Sequence, residues 1–261
     1  MQDLLLLAIQ AARMAGREIN RYYRQDIAAT SKEDGSPITI ADQISHRLII
    51  DILSDTDIDI VSEEGTDLLL EKTCYWLVDP LDGTKDFMAA NDEFTINIAL
   101  IIDQKPVMGV VFAPALDDLY YAAESLGAWR EYRQEKIALL PKERSESCRM
   151  AISRFHNHPD IDIFARDNAI SEHIAVGSAL KYAYLAAAKI DVFPRLVGSS
   201  EWDTAAGQAI LESAGGAVLD WHTGLRLSYG KEKRRNPRLL ALRAPYQYQD
   251  FYLASYPAQL L

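Results

Sequence analysis

Two aspartates, Asp79 and Asp82, are separated by two residues and come directly after the apolar run at residues 75–78. The run predicts a buried strand that ends at Asp79, because the following proline holds the residue before it extended. Gly83 permits a tight turn, which can gather both carboxylates and the Leu81 carbonyl on one side. Such an all-oxygen environment suits Mg²⁺ or Mn²⁺ better than zinc or copper. The alternative is that both aspartates are turn or cap residues with no ligand.

Further acidic residues could converge on this turn. Residues 58–61 predict a short strand that leads into Glu63 and Glu64, so one of them could project from a strand end as Asp79 does. Asp203 lies at the start of a predicted helix rich in small residues, and a helix N-terminus favours anions. The residues alone also allow simpler interpretations, a solvated glutamate pair and a helix N-cap at Asp203.

Composition restricts the partners of this chain. The formal net charge of −11 argues against a nucleic-acid polymer as partner, because such binding requires a basic surface. An acidic protein that acts on an anion must neutralise it locally, with a metal or a few cations. Two cysteines are too few for a disulfide framework and predict a cytoplasmic protein. No segment predicts a membrane span, and peripheral attachment to the inner face of the membrane stays open.

The hydrophobic pattern of the first half predicts the elements that position the acidic residues. Helical spacing predicts helices over residues 4–23 and 42–53, and Asp42 at the start of the second is expected to be its N-cap. Two β-rich runs at 94–102 and 107–112 predict a hairpin after the central turn.

The second half has a different pattern. The polar residues 141–147 are the best candidate for a boundary between two halves. Beyond them strands alternate with helices, which predicts a layered α/β second half packed on a more antiparallel first half. The basic residues 231–235 are expected to form a solvated loop, given the net charge.

Three of these stretches, taken in chain order, resemble the motifs of a known superfamily. They are Glu63-Glu64, Asp-Pro-Leu-Asp-Gly-Thr at 79–84 and Trp-Asp-Thr-Ala-Ala at 202–206. They resemble the Mg²⁺-dependent, lithium-sensitive phosphatases that include inositol monophosphatases and fructose bisphosphatases. The resemblance covers nearly the whole chain and implies an α/β (α+β layered) fold, an αβαβα sandwich. It predicts a single domain over 1–261, with sub-halves of roughly 1–147 and 148–261.

Within the superfamily, four stretches look most similar to the bacterial CysQ-type 3′(2′),5′-bisphosphate nucleotidases; they are 85–87, 93–97, 109–114 and 177–181. The resemblance implies hydrolysis of the small-molecule ester adenosine 3′(2′),5′-bisphosphate to AMP and phosphate, in sulfate assimilation and nucleotide recycling. The residues leave open an inositol or sugar monophosphatase with the same chemistry, and a catalytically silent phosphate- or metal-binding module. The oligomeric state also stays open.

The resemblance assigns roles to the acidic residues. The metal ligands would be Glu63, Asp79, Asp82, Asp203 and the Leu81 carbonyl, around two or three Mg²⁺ ions for which Mn²⁺ can substitute. Asp79 would bridge two ions, and Glu64 would lie next to the ligands without binding an ion itself. The catalytic residues would be Asp42, Thr84 and Glu63. Thr84, hydrogen-bonded to Asp42, would orient and deprotonate the attacking water.

The resemblance also implies a set of substrate-binding residues: Gly83, Thr84, Ser178, Lys181, Arg195 and Asp203. Without it, Lys181 would be interpreted as a helix-surface lysine. This chain departs from the family pattern at two places. Phe155 stands where the family often has a serine, and residues 197–200 replace a Gly-Pro-Thr stretch. Both departures affect expected substrate contacts and leave the predicted metal site intact.

Overall fold

The computed structural model describes residues 1–25, 30–31, 37–65, 73–155 and 158–253. Its α-helices are α1 (Gln2–Tyr22), α2 (Ile40–Leu53), α3 (Thr84–Met88), α4 (Ile161–Asp167), α5 (Leu180–Ala186) and α6 (Ala205–Ser213), and a 3₁₀ helix spans Tyr248–Asp250. Among the described helices, none combines the length and the apolar character that crossing a membrane requires.

A seven-stranded sheet forms the first half and has the strand order β3-β4-β5-β6-β7-β8-β9. Its strands are β3 (Asp59–Ser62), β4 (Cys74–Asp82), β5 (Thr95–Ile102), β6 (Lys105–Ala113), β7 (Asp118–Ala123), β8 (Gly127–Tyr132) and β9 (Glu135–Leu139). Strands β3 and β4 are parallel and the remaining neighbours are antiparallel. The predicted hairpin is confirmed as β5–β6.

A five-stranded mixed sheet forms the second half, with the order β11-β10-β12-β16-β14. Its strands are β10 (Arg149–Ser153), β11 (Glu172–Val176), β12 (Val192–Arg195), β14 (Ala217–Asp220) and β16 (Leu239–Leu242). Two small ribbons complete the strands; they pair β1 (Thr30–Ser31) with β2 (Pro37–Ile38) and β13 (Ser199–Ser200) with β15 (Arg235–Asn236).

The elements are stacked in five layers. Helices α1 and α2 cover the outer face of the first sheet, and their apolar faces share one buried cluster with its strands, including Ile19, Ile49 and Trp76. Helices α5 and α6 lie between the two sheets, in a second cluster that contains residues of both sheets. Helix α4 packs through Phe164 on the outer face of the second sheet. The αβαβα arrangement expected from the resemblance is therefore confirmed.

Two predictions about local structure are wrong. The strand over residues 75–78 does not end at Asp79, because β4 continues to Asp82. Asp42 is not the N-cap of α2; that position is taken by Thr39, whose hydroxyl accepts the Ala41 N–H. Asp42 occupies the third helical position, where its carboxylate accepts the Thr39 N–H at 2.8 Å and completes a capping box.

The middle helix layer depends on small residues at its contacts. A β-carbon at Gly109 of β6 would lie 2.2 Å from the carbonyl oxygen of Ala206 in α6, and one at Gly207 would lie 2.5 Å from Tyr182 Cβ in α5. The small residues of α6 therefore allow this helix to pack closely against both β6 of the first sheet and the neighbouring helix α5.

We predict that Gly109→Ala lowers the free energy of unfolding by about 3 kcal/mol, because backbone must move to admit the methyl group. Urea denaturation measures the loss. Gly127→Ala is the control: its β-carbon would meet no atom within 4 Å, and its φ of 71° costs an alanine about 1 kcal/mol. Equal losses for the two variants would contradict the packing argument.

Candidate active site

The parallel pairing of β3 and β4 brings Glu63 beside Asp79. Ser62 is in register with Val78, and the next residue of each strand is an acidic one. The Glu63 N–H donates to the Val78 carbonyl at 3.1 Å, which continues the ladder to the carboxyl ends of both strands. Glu64 is partly buried and is not among the described residues that line the cavity.

A bulge in β4 brings Asp79 and Asp82 to the same cavity. Asp79 is opposite Asn97 and Asp82 is opposite Thr95, so β4 has one residue more than β5 between these pairs. In a regular strand, residues three apart point to opposite faces, and the extra residue of a bulge reverses this relation. The proline in the bulge needs no ladder donor. The Leu81 N–H donates to Asp79 Oδ1 at 3.1 Å, so the side chain of Asp79 is fixed by its own bulge.

Asp203 reaches the cluster from the second half of the chain. It lies between β13 and α6, and its Oδ2 accepts the Ser200 N–H at 3.0 Å. Thr204, rather than Asp203, is the N-cap residue of α6. The interpretation of Asp203 as an N-cap is therefore wrong, and its carboxylate is available to the cavity.

Carboxylate oxygens of Glu63, Asp79 and Asp203 all lie within 4.8 Å of one another. Asp79 is buried, and burial together with the charges of Glu63 and Asp82 raises its pKa well above the usual value. Burial, with the charge of Glu63 opposing that of Lys181, raises the pKa of Asp82 to about 6. Burial and the charges of Asp82 and Glu63 raise the pKa of Asp203 to about 7. The cluster thus holds more negative charge than it can stabilise by itself.

This donor set fits a hard divalent cation. Four carboxylates from three parts of the chain converge on one cavity. The positive charges of Lys181 at Asp82 and of Arg195 at Asp203 offset their repulsion only in part. Hard oxygen ligands are those that Mg²⁺ and Mn²⁺ prefer. A cation bound between them would remove the mutual repulsion that raises their pKa values. Glu63, Asp79, Asp82 and Asp203 are the side chains that would hold it, with Leu81 in the same cavity wall.

A hydroxyl and a buried carboxylate lie next to the cluster. Gly83, with φ 89°, precedes α3, and Thr84 is the first residue of that helix. Thr84 Oγ1 donates to Asp42 Oδ1 at 3.2 Å, while Asp42 Oδ2 accepts the Thr39 hydroxyl at 2.6 Å. Burial raises the pKa of Asp42, and the hydrogen bonds from Thr39 and Thr84 lower it in part. The hydrogen bond implied by the resemblance is thus present in the structure.

The cluster forms one wall of a cavity of about 350 Å³. Ser178, Lys181 and Arg195, the predicted substrate residues of the second half, line it together with Gly83 and Thr84. Both places where the sequence departs from the family pattern line it as well: Phe155, which is 44% exposed, and residues 197–200. Every residue predicted for the site except Asp42 and Glu64 is therefore at this cavity.

Lys181 is buried, contrary to its interpretation as a surface lysine. Its Nζ donates to the carbonyls of Val176 (3.2 Å) and Ser178 (2.5 Å), and burial lowers its pKa to about 8. The Ser178 hydroxyl accepts the Leu180 N–H at 3.4 Å in a local turn. The Arg195 guanidinium donates hydrogen bonds to the Ser153 hydroxyl (3.2 Å) and to the backbone carbonyls of Val197 and Gly198. All three side chains thus already make hydrogen bonds within the protein.

Sequence reasoning missed four charged residues that line the cavity: Lys85, Asp86, Arg154 and Arg235. Asp86 is buried, and a β-carbon at Gly177 would lie 2.7 Å from its Oδ1, so the two segments touch directly. Asp86 belongs to the stretch 85–87 that resembles the CysQ-type pattern, and this resemblance could have indicated it. Arg154 pairs with Glu93 at 2.7 Å, a contact between distant segments with no local signal.

The prediction of a solvated loop at residues 231–235 is correct for Glu232, Lys233 and Arg235, which are exposed, and wrong for Lys231 and Arg234. Lys231 and Arg234 make ion pairs with Glu201, which has no exposed side-chain surface, at 3.1 and 3.7 Å. Arg235 lies at the cavity. The buried carboxylate that draws these cations inward is 30 residues away in the sequence, which explains why local composition was misleading.

The chain belongs to the inositol monophosphatase family, whose family description it matches over residues 1–252. The described residues contain an acidic cluster of the kind that metal-dependent phosphatases of this family use.

Individual relatives are similar to this chain over most of its length. The chain is 39% identical over 236 residues to the 3′(2′),5′-bisphosphate nucleotidase CysQ of Salmonella typhimurium, covering 87% of this chain and 95% of that protein. The crystal structure of CysQ from Bacteroides thetaiotaomicron superposes with a TM-score of 0.85 at 34% identity, covering 93% and 98% of the two chains. An IMPase from Thermotoga maritima gives a TM-score of 0.75 at 26% identity, with 92% of each chain covered.

We predict that the metal-free protein becomes more stable as the pH falls from 8 to about 6. The raised pKa values of Asp82 (about 6) and Asp203 (about 7) mean that the folded state binds protons that the unfolded state does not in this range, so stability decreases as the pH rises. We expect the melting temperature at pH 6 to exceed that at pH 8 by at least about 3 °C. Mg²⁺ should raise the melting temperature more at pH 8 than at pH 6, because protons compete for the carboxylates.

Asp79→Asn is the control for this prediction, since it removes one buried charge at nearly constant shape. It should raise the melting temperature of the metal-free protein at pH 8 and remove most of the Mg²⁺ effect. A metal-free wild-type protein that melts at a lower temperature at pH 6 than at pH 8 would contradict the raised pKa values of the cluster. A melting temperature unaffected by Mg²⁺ at pH 8 would show that the cluster does not bind this cation.

Proposed function

We propose that this protein is a Mg²⁺-dependent phosphomonoesterase that hydrolyses adenosine 3′(2′),5′-bisphosphate to AMP and phosphate. The observation that carries the proposal is the cluster of four carboxylates in one cavity with the Thr84–Asp42 hydrogen bond. The choice of substrate is supported by the similarity to proteins named CysQ 3′(2′),5′-bisphosphate nucleotidase. Two or three ions, with Mn²⁺ as a substitute, and the assignment of individual ligands belong to the same proposal.

The cations would supply positive charge for the reacting phosphate and for the leaving oxygen, which is the main requirement of a slow phosphate-ester hydrolysis. The chain itself would hold the attacking water. Because the Thr84 hydroxyl gives its hydrogen to Asp42, its oxygen is free to accept a hydrogen bond from water. As the water oxygen bonds to phosphorus, a water proton can pass through Thr84 Oγ1 to Asp42 Oδ1. The ester oxygen leaves with the electron pair of the P–O bond and takes up a proton from solvent. The raised pKa of Asp42 favours this transfer.

Other residues would hold the substrate in place. The backbone N–H groups of Gly83 and Thr84 lie at the start of a helical turn, where an oxyanion can be bound. Ser178, Lys181 and Arg195 line the other part of the cavity and are proposed to contact the nucleotide. Glu64 is proposed to support Glu63.

A second candidate is hydrolysis of an inositol or sugar monophosphate in the same cavity. It is favoured by the similarity in structure to the IMPase of Thermotoga maritima. The carboxylate cluster serves both reactions, so only the part of the cavity beyond it distinguishes the substrates.

We predict that phosphate release from adenosine 3′,5′-bisphosphate requires Mg²⁺, stops with chelator, is inhibited by Li⁺, and exceeds that from inositol 1-phosphate by at least about tenfold in kcat/KM. A difference of about 1.4 kcal/mol in transition-state binding is enough for this ratio. Phosphate release with the two substrates under the four conditions is the measurement. Equal or reversed preference would overturn the nucleotide assignment while leaving the phosphatase reaction in place.

We predict that Thr84→Ala lowers kcat by about 100-fold, the lower range for loss of a proton-transfer group. Thr84→Ser keeps the hydroxyl and should stay within about tenfold of the wild-type rate. The Mg²⁺-induced rise in melting temperature should be the same in all three proteins, since no carboxylate is changed. Full activity of Thr84→Ala would exclude the proposed role of this hydroxyl.

A further inference from the structure

The segment that carries Arg235 is fixed to the turn that carries Asp203. Glu201, two residues before Asp203, is fully buried and accepts the N–H groups of Gly230 (3.1 Å) and Lys231 (3.0 Å). Lys231 and Arg234 neutralise the Glu201 carboxylate from the same segment. A buried charge with this many partners is costly to separate, so the segment and the turn behave as one rigid unit.

A short strand pair then places Arg235 at the cavity. Arg235 is in register with Ser200, whose N–H donates to Asp203 Oδ2. Arg235 lines the cavity, and its guanidinium donates to the Ser200 hydroxyl at 3.0 Å. Within the described part of the chain, no carboxylate lies within ion-pair distance of Arg235. Since a guanidinium has five N–H donors, most of its binding capacity is unused.

The other cations at the cavity are more fully engaged. Lys181 donates to two backbone carbonyls, and its ammonium is influenced by the charges of Asp82 and Asp86. Arg195 donates to the Ser153 hydroxyl and to carbonyl oxygens, and Arg154 makes an ion pair with Glu93. Lys85 lines the cavity as well, but an ammonium has three N–H donors in all, fewer than the four that Arg235 leaves unused. Arg235 is therefore the described cavity cation with the most donors left for an anion.

A substrate with two phosphates needs such a cation. The phosphate that reacts can be neutralised at the carboxylate cluster by bound cations, but the second phosphate remains charged. In a protein of net charge −11, with an acidic cavity wall, this second dianion is repelled unless a positive group lies close by. A guanidinium suits this task because its planar fork binds two phosphate oxygens at once.

We propose that Arg235 binds the second, non-reacting phosphate of the substrate and so favours bisphosphates over monophosphates. The inference rests on the proposed function, because it concerns the same cavity and the same nucleotide. Arg235 contributes binding that is equal in the ground state and the transition state, so it acts on KM rather than on kcat.

The test compares adenosine 3′,5′-bisphosphate with adenosine 3′-monophosphate, which lacks the second phosphate. Arg235→Ala is expected to raise KM for the bisphosphate about tenfold, with kcat within about twofold, and to leave KM for the monophosphate unchanged. Arg235→Lys, which keeps the charge but loses the fork, is expected to raise KM for the bisphosphate about threefold. Lys233→Ala is the matched control, because Lys233 is an exposed cation of the same segment and is outside the cavity lining.

Binding without turnover gives a second measurement. Calorimetric titration should show that Arg235→Ala weakens AMP binding about tenfold and leaves adenosine binding unchanged. Equal losses for both substrates, or for AMP and adenosine alike, would place Arg235 at the reacting phosphate or the nucleoside and overturn the inference. If the wild-type protein releases no phosphate from either nucleotide, the proposed function fails, and the comparison of AMP with adenosine still decides the role of Arg235.

Discussion

The structure depends on one electrostatic constraint, the repulsion among the carboxylates of Glu63, Asp79, Asp82 and Asp203. Each of the last three has a raised pKa because burial and its acidic neighbours disfavour its charge. Such a cluster is unfavourable by itself, and the fold must hold it together without relying on attraction between its members. It does so with main-chain constraints: a parallel strand pair, a β-bulge and the close packing of α6. Stability elsewhere in the molecule compensates for this local cost.

The same contacts that build the core therefore position the acidic residues. Asp203 precedes α6, and α6 packs so closely on β6 that there is no space for a side chain at Gly109. Ala206 and Gly207 allow this approach on two sides, so the middle layer of the sandwich sets how far Asp203 lies from the strands that carry Asp79 and Asp82. A larger residue in that layer would change the distance between ligands that belong to different halves of the chain. Packing and chemistry are coupled here through a rigid helix.

The sequence predicted the ligands better than the geometry that unites them. The order of Glu63, the 79–84 stretch and Asp203 indicated the site. Strand and helix periodicity predicted most elements, and the resemblance to the phosphatase superfamily supplied the αβαβα layering. The bulge at Asp79–Asp82 was not predictable in the same way, because it is a property of register with β5 rather than of the local sequence. Lys181 and part of the basic segment were misjudged for a related reason. Their burial depends on partners such as Glu201, which only the tertiary structure brings close.

The cavity thus contains two kinds of charge with different responses to pH. The carboxylate cluster binds protons near neutrality when it has no cation, so cation binding must release protons and must weaken as the pH falls. The guanidinium of Arg235 keeps its charge throughout this range. Affinity for the reacting phosphate is consequently tied to pH through the cluster, whereas Arg235 adds no pH dependence of its own to the binding of the second phosphate, which varies only with the ionisation of that phosphate. A bisphosphate can therefore be retained by one end of the cavity under conditions in which the other end has lost its cations, and retention without turnover follows from the arrangement of these charges.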